Sequence, residues 1–224
     1  MPKRGLYIVI EGGDGTGKST QAAMLTEKLE RLGLNPLVVP NPDTGALGPI
    51  EEPGGTPAAN NLRKKIKDRS IERTPWQNVE WFTEARRSSW HEAILPALQE
   101  GRPVVSARSW ISTVVYQGHS EGIPVDKIQR YTLQQVGKEY MHPDLVFVLA
   151  LHDRSIIKKR LTTRGTDAAQ DTFESKPEHF QTSLKDGYAR FAKETGITPI
   201  DASQSRDEVF AEIWAQVEAT LNQR

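Results

Sequence analysis

Short apolar runs of strand length alternate along the chain with longer segments of helical length. LYIVI (6–10), LNPLVVP (34–40), PVVSA (103–107) and LVFVLAL (145–151) are rich in β-branched and aromatic residues. A stretch from Lys18 to about Leu32 separates the first two, and this alternation argues for a parallel sheet with helices on both faces. LVFVLAL is apolar at almost every position, as expected of a strand covered on both sides. Periodicity alone would also allow a buried helix there, and the helical neighbours decide for a strand. Thr74 to Gly101 reads as one long helix: Pro75 stands near its start, Val79, Phe82, Ala85, Ala93 and Ala97 supply an apolar face, and Pro96 marks a kink close to its end. Loops are expected at 41–57, around HSEGIP (119–124) and at RGTDAAQDT (164–172), with no internal repeat and no low-complexity tract.

Composition narrows the setting. The chain has 224 residues, 37% of them hydrophobic, which suits one core and predicts a single domain. Lys+Arg and Asp+Glu both number 29, giving a formal net charge of zero. Without a long basic run, the chain lacks the electrostatic footprint of a nucleic-acid binder, and any anion it holds must be gripped locally. The sequence has no cysteine, which excludes a disulfide framework and a thiolate zinc site and fits a reducing interior. No apolar run approaches membrane-spanning length, and MPKRGLYIVI passes from basic residues straight into the first strand, without a signal-peptide cleavage region. A soluble cytoplasmic protein with neither nucleic-acid nor membrane partners is expected.

The strongest local signal is Gly12-Gly13-Asp14-Gly15-Thr16-Gly17-Lys18-Ser19, followed by Thr20. This is the P-loop spacing, preceded by a strand and followed by an amphipathic helix. Glycines let successive backbone N–H groups turn inward, and the helix N-terminus adds its partial positive charge. Lys18 neutralises the outer phosphates, while the Ser19 hydroxyl can ligate magnesium. A P-loop alone does not choose between a motor ATPase, a GTPase and a small-molecule kinase. No Asn-Lys-x-Asp motif for guanine is present, and PVVS ends in Ala107-Arg108 where a helicase-type ATPase would carry an acid. Chain length and the polar loops favour a nucleoside or nucleotide kinase.

Four further segments, taken in order, resemble the thymidylate kinase family: EGGDGTGKSTQ (11–21), EPGGTP (52–57), FTEAR (82–86) leading into ILPAL (94–98), and ARSWISTVVYQG (107–118). Arg164-Gly165 followed by DTFE (171–174) looks like that family's lid, and FQTSLKDGYARFA (180–192) is similar to the helix after it. The likeness covers nearly the whole chain. It implies an α/β fold of the three-layer P-loop NTPase type, with a parallel five-stranded sheet, helices on both faces and a short lid near 160–174. It also implies transfer of a phosphoryl group from Mg2+-bound ATP to dTMP, in a homodimer. Gly12, Gly13, Gly15, Thr16, Gly17, Lys18, Ser19, Thr20 and Arg160 would then hold ATP, with Ser19 on the metal. Asp14, Glu52, Pro53, Phe82, Arg86, Arg108, Tyr116 and Gln117 would hold the acceptor. Asp14, Lys18, Arg108 and Arg164 would act in catalysis, Asp14 by accepting a hydrogen bond from the acceptor's 3′-hydroxyl.

Physical readings stand beside the resemblance. Phe82 and Arg86 lie four apart and share a helix face, so a ring could stack on a base while a guanidinium donates to it. An aromatic at that spacing fits a core equally well, and Arg86-Arg87 could be a solvated pair. Arg108 ends a buried strand, where ligands of doubly wound sheets collect and an arginine can hold a phosphate bidentately. Arg160 and Arg164, with Lys158 and Lys159 nearby, could swing cations over the phosphoryl group or simply complement a helix C-terminus.

The chain also departs from the family pattern. Ala107-Arg108 stands for the usual Asp-Arg, Glu51-Glu52-Pro53 for Arg-Glu-Pro, and Asp171-Thr172-Phe173-Glu174 for Asp-Arg-x-Glu. NPDTGALGPI (41–50) reads as an insertion, far longer than the roughly two to six residues usual in such connections. Glu51 would repel an acceptor phosphate if it points inward and matter little if it points outward. Two rivals to dTMP phosphorylation therefore stay open: a kinase of the same fold for another nucleotide or a deoxynucleoside, and a catalytically silent nucleotide-binding relative.

Overall fold

The structure, a computed structural model, describes residues 3–151, 153, 155–157, 160 and 178–224. Arg164, Thr172 and most of the predicted lid at 160–174, with Lys158 and Lys159, lie outside the described residues. The elements run β1 (Tyr7–Gly12), α1 (Lys18–Arg31), β2 (Val39–Pro40), β3 (Leu47–Gly48), β4 (Ile50–Glu51), α2 (Pro57–Lys67), α3 (Pro75–Ser89), α4 (Leu95–Gln99), β5 (Val104–Ala107), α5 (Trp110–Thr113), α6 (Val125–Gln135), α7 (Lys138–Met141), β6 (Leu145–Ala150), α8 (Glu178–Thr195), β7 (Ile200–Asp201) and α9 (Arg206–Asn222).

The main sheet has five strands in the order β4-β5-β1-β6-β7, and every neighbouring pair is parallel. Its residues alternate between two buried clusters, as the two-residue period of a strand requires. Tyr7 and Val9 of β1 join Val104 and residues of α3, α5, α6 and α8 on one face. Leu6, Ile8 and Ile10 join Val105, Phe147, Ala22, Leu25 and Leu29 of α1 and Val209, Ile213 and Val217 of α9 on the other. Both faces are dry, so continuous apolar character rather than alternation marks the central strands. The expected fold class is therefore the one observed.

The run 34–40 departs from its predicted place in this sheet. Leu37 N–H bonds the Pro103 carbonyl at 2.8 Å just before β5, but the run's one strand, Val39–Pro40, pairs antiparallel with Leu47–Gly48 in a separate two-stranded ribbon. Pro36 and Pro40 bring no N–H to a ladder, which excludes the run from a central position. Ile50–Glu51 takes the sheet edge instead, with Glu51 in register opposite Ala107. The 41–50 segment is likewise built rather than structureless. The Asn41 side chain accepts from the N–H groups of Asp43 and Thr44, and Asp43 binds Arg63 at 2.7 Å and Lys67 at 2.9 Å on α2. Although burial works against its charge, hydrogen bonds from these two cations hold the Asp43 carboxyl down to about 2.

The long helix expected over 74–101 is present in three joined pieces. Thr74 and Gln77 close a capping box at its start, with Pro75 in the first turn. Between α3 and α4 the chain widens into a π turn over Trp90–Ile94. Pro96 lacks the N–H that an α-helical bond to residue 92 would need, and the wider turn just before it absorbs the mismatch.

Candidate functional site

At the C-terminal end of β1 the phosphate loop forms as the spacing predicts. Gly12, Gly15 and Gly17 have φ of 145°, 78° and 94°, and only glycine adopts such angles without strain. A Cβ on Gly12 would lie 2.5 Å from the Leu149 carbonyl oxygen, so the position also demands the smallest residue. Helix α1 starts at left-handed Gly17 with no side-chain cap and no acid in its first turn. Thr56, Thr74, Ser109 and Ser205 each cap their own helix with a hydroxyl. The N–H groups opening α1 thus remain available for an anion. Lys18 Nζ folds back on the loop, donating to the Gly13 carbonyl at 2.6 Å with Asp14 Oδ1 3.7 Å away. Arg160 donates to Ala202 O at 2.8 Å and reaches Gly15 O at 3.4 Å, against the outer side of the loop. Thr20 is exposed on the first turn of α1.

Asp14 does not face solvent alone. Arg108 Nη2 pairs with its Oδ1, and Tyr116 OH donates to its Oδ2 at 3.0 Å. Burial pushes the Tyr116 phenol up, so it stays a donor. Arg108 reaches the loop because its backbone sits at φ 75°, unusual for a non-glycine residue and costing on the order of 1–2 kcal/mol. Its N–H bonds the Ile10 carbonyl at 2.9 Å and its own carbonyl accepts from Ser106 Oγ at 2.9 Å, which holds the turn in place. Strain of this kind persists where surrounding contacts over-determine it, often at functional sites.

Beneath this pair lies a residue that the sequence motifs leave without a role. Glu11, wholly buried at the end of the apolar β1 run, accepts from Ser109 N–H and Oγ at 2.7 and 2.9 Å, Ser112 Oγ at 2.8 Å and Tyr188 OH at 3.0 Å. Ser112 Oγ and Tyr188 OH in turn lie 3.2 and 3.5 Å from Arg108 Nη1. A carboxylate inside an otherwise apolar strand is the sequence signal that could have found it, because a buried charge survives only when several donors satisfy it. Tyr188 sits on α8, and nothing in its local pattern set it apart from a core aromatic.

The opposite wall is drier. Arg86 is 1% exposed; its Nε donates to Glu52 Oε2 at 2.9 Å and its Nη1 to Thr113 Oγ1 at 2.5 Å. Tyr140 OH donates to the same Glu52 oxygen at 2.7 Å. Burial raises the Glu52 carboxyl to about 7, against the pull of Arg86 and Tyr140. Phe82 lies under the Arg86 guanidinium, 5.2 Å from carbon to ring centre, so the two share a face as the spacing predicts. Arg87 instead pairs with Glu84 at the surface. Pro53 is buried and follows a cis peptide bond. Gln117 is fully buried in a π turn over Val114–Ser120, and its Nε2 donates to Glu121 at 3.2 Å rather than joining Asp14. Its Oε1 is a buried acceptor without a hydrogen-bond partner.

Glu51 points inward. Its Oε2 accepts a hydrogen bond from Ser19 Oγ at 3.0 Å. These are adjacent hard oxygen donors, the chemistry that magnesium takes, and the site therefore fits that ion. Among the described residues no group of three or more His, Cys, Asp or Glu is arranged for a metal. An ion here would share its shell with nucleotide phosphates and water.

A family model described as "Thymidylate kinase" matches residues 10–213. The chain belongs to the thymidylate kinase family. Curated members include "Thymidylate kinase" of Dinoroseobacter shibae, 34% identical over 97% of this chain and 98% of that protein, and that of Halothermothrix orenii, 31% identical over 97% and 99%. A crystal structure of thymidylate kinase from Ehrlichia chaffeensis superposes with a TM-score of 0.71 at 22% identity, covering 96% of this chain and 99% of the other, and shows the shared fold. Within this family of phosphotransferases this chain carries the phosphate loop, a buried Arg86 and an Arg108 at positive φ. Ala107, fully buried, contributes a methyl group to the apolar face, and Glu51 stands one strand away beside Ser19.

Proposed function

We propose that this protein is a dTMP kinase, in which an oxygen of the dTMP 5′-phosphate attacks the γ-phosphorus of ATP, the bond from that phosphorus to the β,γ-bridging oxygen breaks, and dTDP and ADP leave. The observation that carries the reading is the Arg108–Asp14–Tyr116 cluster, an arginine and a phenol drawn onto an acid of the phosphate loop, which suits an acceptor's phosphate and sugar held beside the donor. Each member of the cluster has a task once both substrates are present. Arg108 exchanges its Asp14 partner for the acceptor phosphate. Asp14 then accepts from the sugar 3′-hydroxyl, and the Tyr116 ring crowds the position that a ribose 2′-hydroxyl would need. Arg86 donates to the thymine, with Phe82 packed on the base.

On the donor side the open N–H groups of α1 and Lys18 take the β- and γ-phosphates, and Arg160 steadies the loop from behind. Arg164 supplies the lid cation in this reading. Ser19 and Glu51 would hold Mg2+, which when bound neutralises charge on the transferring group. Little covalent chemistry remains for the protein beyond positioning and charge complementarity.

A panel of nucleosides and nucleoside monophosphates with Mg2+-ATP tests the assignment. dTMP is expected to be the best acceptor by kcat/KM. Transfer to dCMP or to thymidine without transfer to dTMP would replace this reading with another kinase of the same fold. ATP binding by calorimetry with no turnover on any acceptor would make the chain a silent relative.

A further inference from the structure

Glu51 is a partly buried carboxylate with an acidic neighbour, Glu52, and yet no Lys or Arg pairs with it among the described residues. Arg63 is directed to the Glu51 backbone oxygen at 3.5 Å and pairs with Asp43 instead. Left unpaired, such an anion beside a phosphate-binding loop would weaken nucleotide binding. Its side chain nevertheless turns toward the loop and takes the hydrogen bond of Ser19, the P-loop hydroxyl. P-loop enzymes hold their metal between that hydroxyl and an acid carried at the end of a neighbouring strand. In this chain the strand end beside β1 carries Ala107, whose short side chain offers no oxygen. The next strand places Glu51 in register opposite Ala107, and the longer Glu side chain spans the extra strand spacing to reach Ser19. The other acid of the loop, Asp14, is already engaged by Arg108, Tyr116 and Lys18.

We infer that Glu51 is the metal-site carboxylate of this enzyme, acting from edge strand β4 in place of an acid at position 107. The chemical class is a hard divalent cation bound together with the ATP phosphates. The unpaired charge is then matched by the cation rather than set against the nucleotide, and Glu51 and Ala107 become two halves of one exchange between adjacent strands. The inference rests on the kinase reading for its nucleotide, but not for its acceptor.

Mn2+ as a spin-active stand-in, titrated into the protein with ATP and read by electron paramagnetic resonance, tests it directly. Glu51→Ala and Glu51→Gln are expected to weaken Mn2+ binding in the ATP complex by about tenfold or more, while ATP binding measured calorimetrically in EDTA stays the same or tightens. Adding Ala107→Asp to Glu51→Ala should restore most of the metal affinity. Glu51→Gln keeps a hydrogen-bond acceptor for Ser19 and so separates loss of charge from loss of fold. Unchanged Mn2+ affinity in both single variants overturns the inference. An equal loss of metal-free ATP binding in both also overturns it. Acceptor turnover enters neither readout. A protein that binds Mn2+ through Glu51 but phosphorylates something other than dTMP therefore sinks the proposed function alone, and a dTMP kinase indifferent to Glu51 sinks this inference alone.

Discussion

Two arginine–carboxylate pairs flank the space where an acceptor would lie, and they differ in water. Arg108 and Asp14 keep about a fifth of their side chains exposed, at 20% and 19%, whereas Arg86 and Glu52 are shut in at 1% and 0%. A pair that keeps an edge open to solvent can trade partners, because each charge has water or substrate as an alternative. A dry pair cannot, since freeing either member would leave a buried charge uncompensated. The first pair is therefore suited to move into contact with the substrate phosphate and sugar, and the second to fix one wall of the base pocket. In the proposed kinase the same two residue types re-partner with substrate in one place and hold a fixed wall in the other.

The largest expected effect tests the wet pair. Arg108→Ala should lower kcat/KM for dTMP on the order of 10³-fold, as loss of an arginine at a transferring phosphoryl group does. ATP binding should remain near normal in calorimetry, and the melting temperature should barely fall. Near-normal turnover would remove Arg108 from the site, and a large drop in melting temperature would mean that its pair is scaffold after all.

Next comes the dry pair, where the loss should appear in stability. Arg86→Ala leaves Glu52 buried without its cation and should cost about 3–5 kcal/mol in urea unfolding at pH 8. Because Glu52 can take up a proton, the cost should be smaller at pH 5. A variant as stable as the parent at both pH values would show that burial is not what distinguishes the two pairs. Asp14→Asn should have a smaller effect, on turnover, by roughly 10²-fold. It should reduce kcat more than dTMP affinity, since the amide still accepts a hydrogen bond but no longer balances Arg108.

These two pairs were unequally legible in the sequence, and so was the rest of the site. The phosphate loop is local: its function follows from backbone angles set by Gly12, Gly15 and Gly17, so spacing alone locates it. The sheet was legible for the same reason wherever strands are buried on both faces. The 34–40 run misleads because apolar content cannot show that two prolines bar it from the ladder. The drier wall joins Arg86, Thr113 and Tyr140 from three helices to Glu52 in the turn after β4. No period connects them, so only family resemblance brings part of that set together; it leaves out Thr113 and Tyr140, as it leaves out Glu11 beneath Arg108. From sequence Glu51 is a departure with two open orientations, because a side chain's direction at a sheet edge depends on register with a strand more than fifty residues away.

The smallest expected effect is a pH dependence that sharpens the contrast. Glu52 has its pKa raised from 4.5 to about 7 by burial, so between these values the folded state holds more protons than the unfolded one. Its contribution to stability is then largest below about pH 4.5, declines as pH rises through 7, and changes no further above that. Unfolding midpoints measured from pH 5 to 8 should carry this downward component in the parent and lose it in Glu52→Gln. Glu52→Gln also weakens the grip on Arg86, so the variant's profile should be flatter without being uniformly higher. If the parent and Glu52→Gln profiles run parallel, Arg86 keeps Glu52 ionised across the range. The dry pair would then behave electrostatically like the wet one despite its burial.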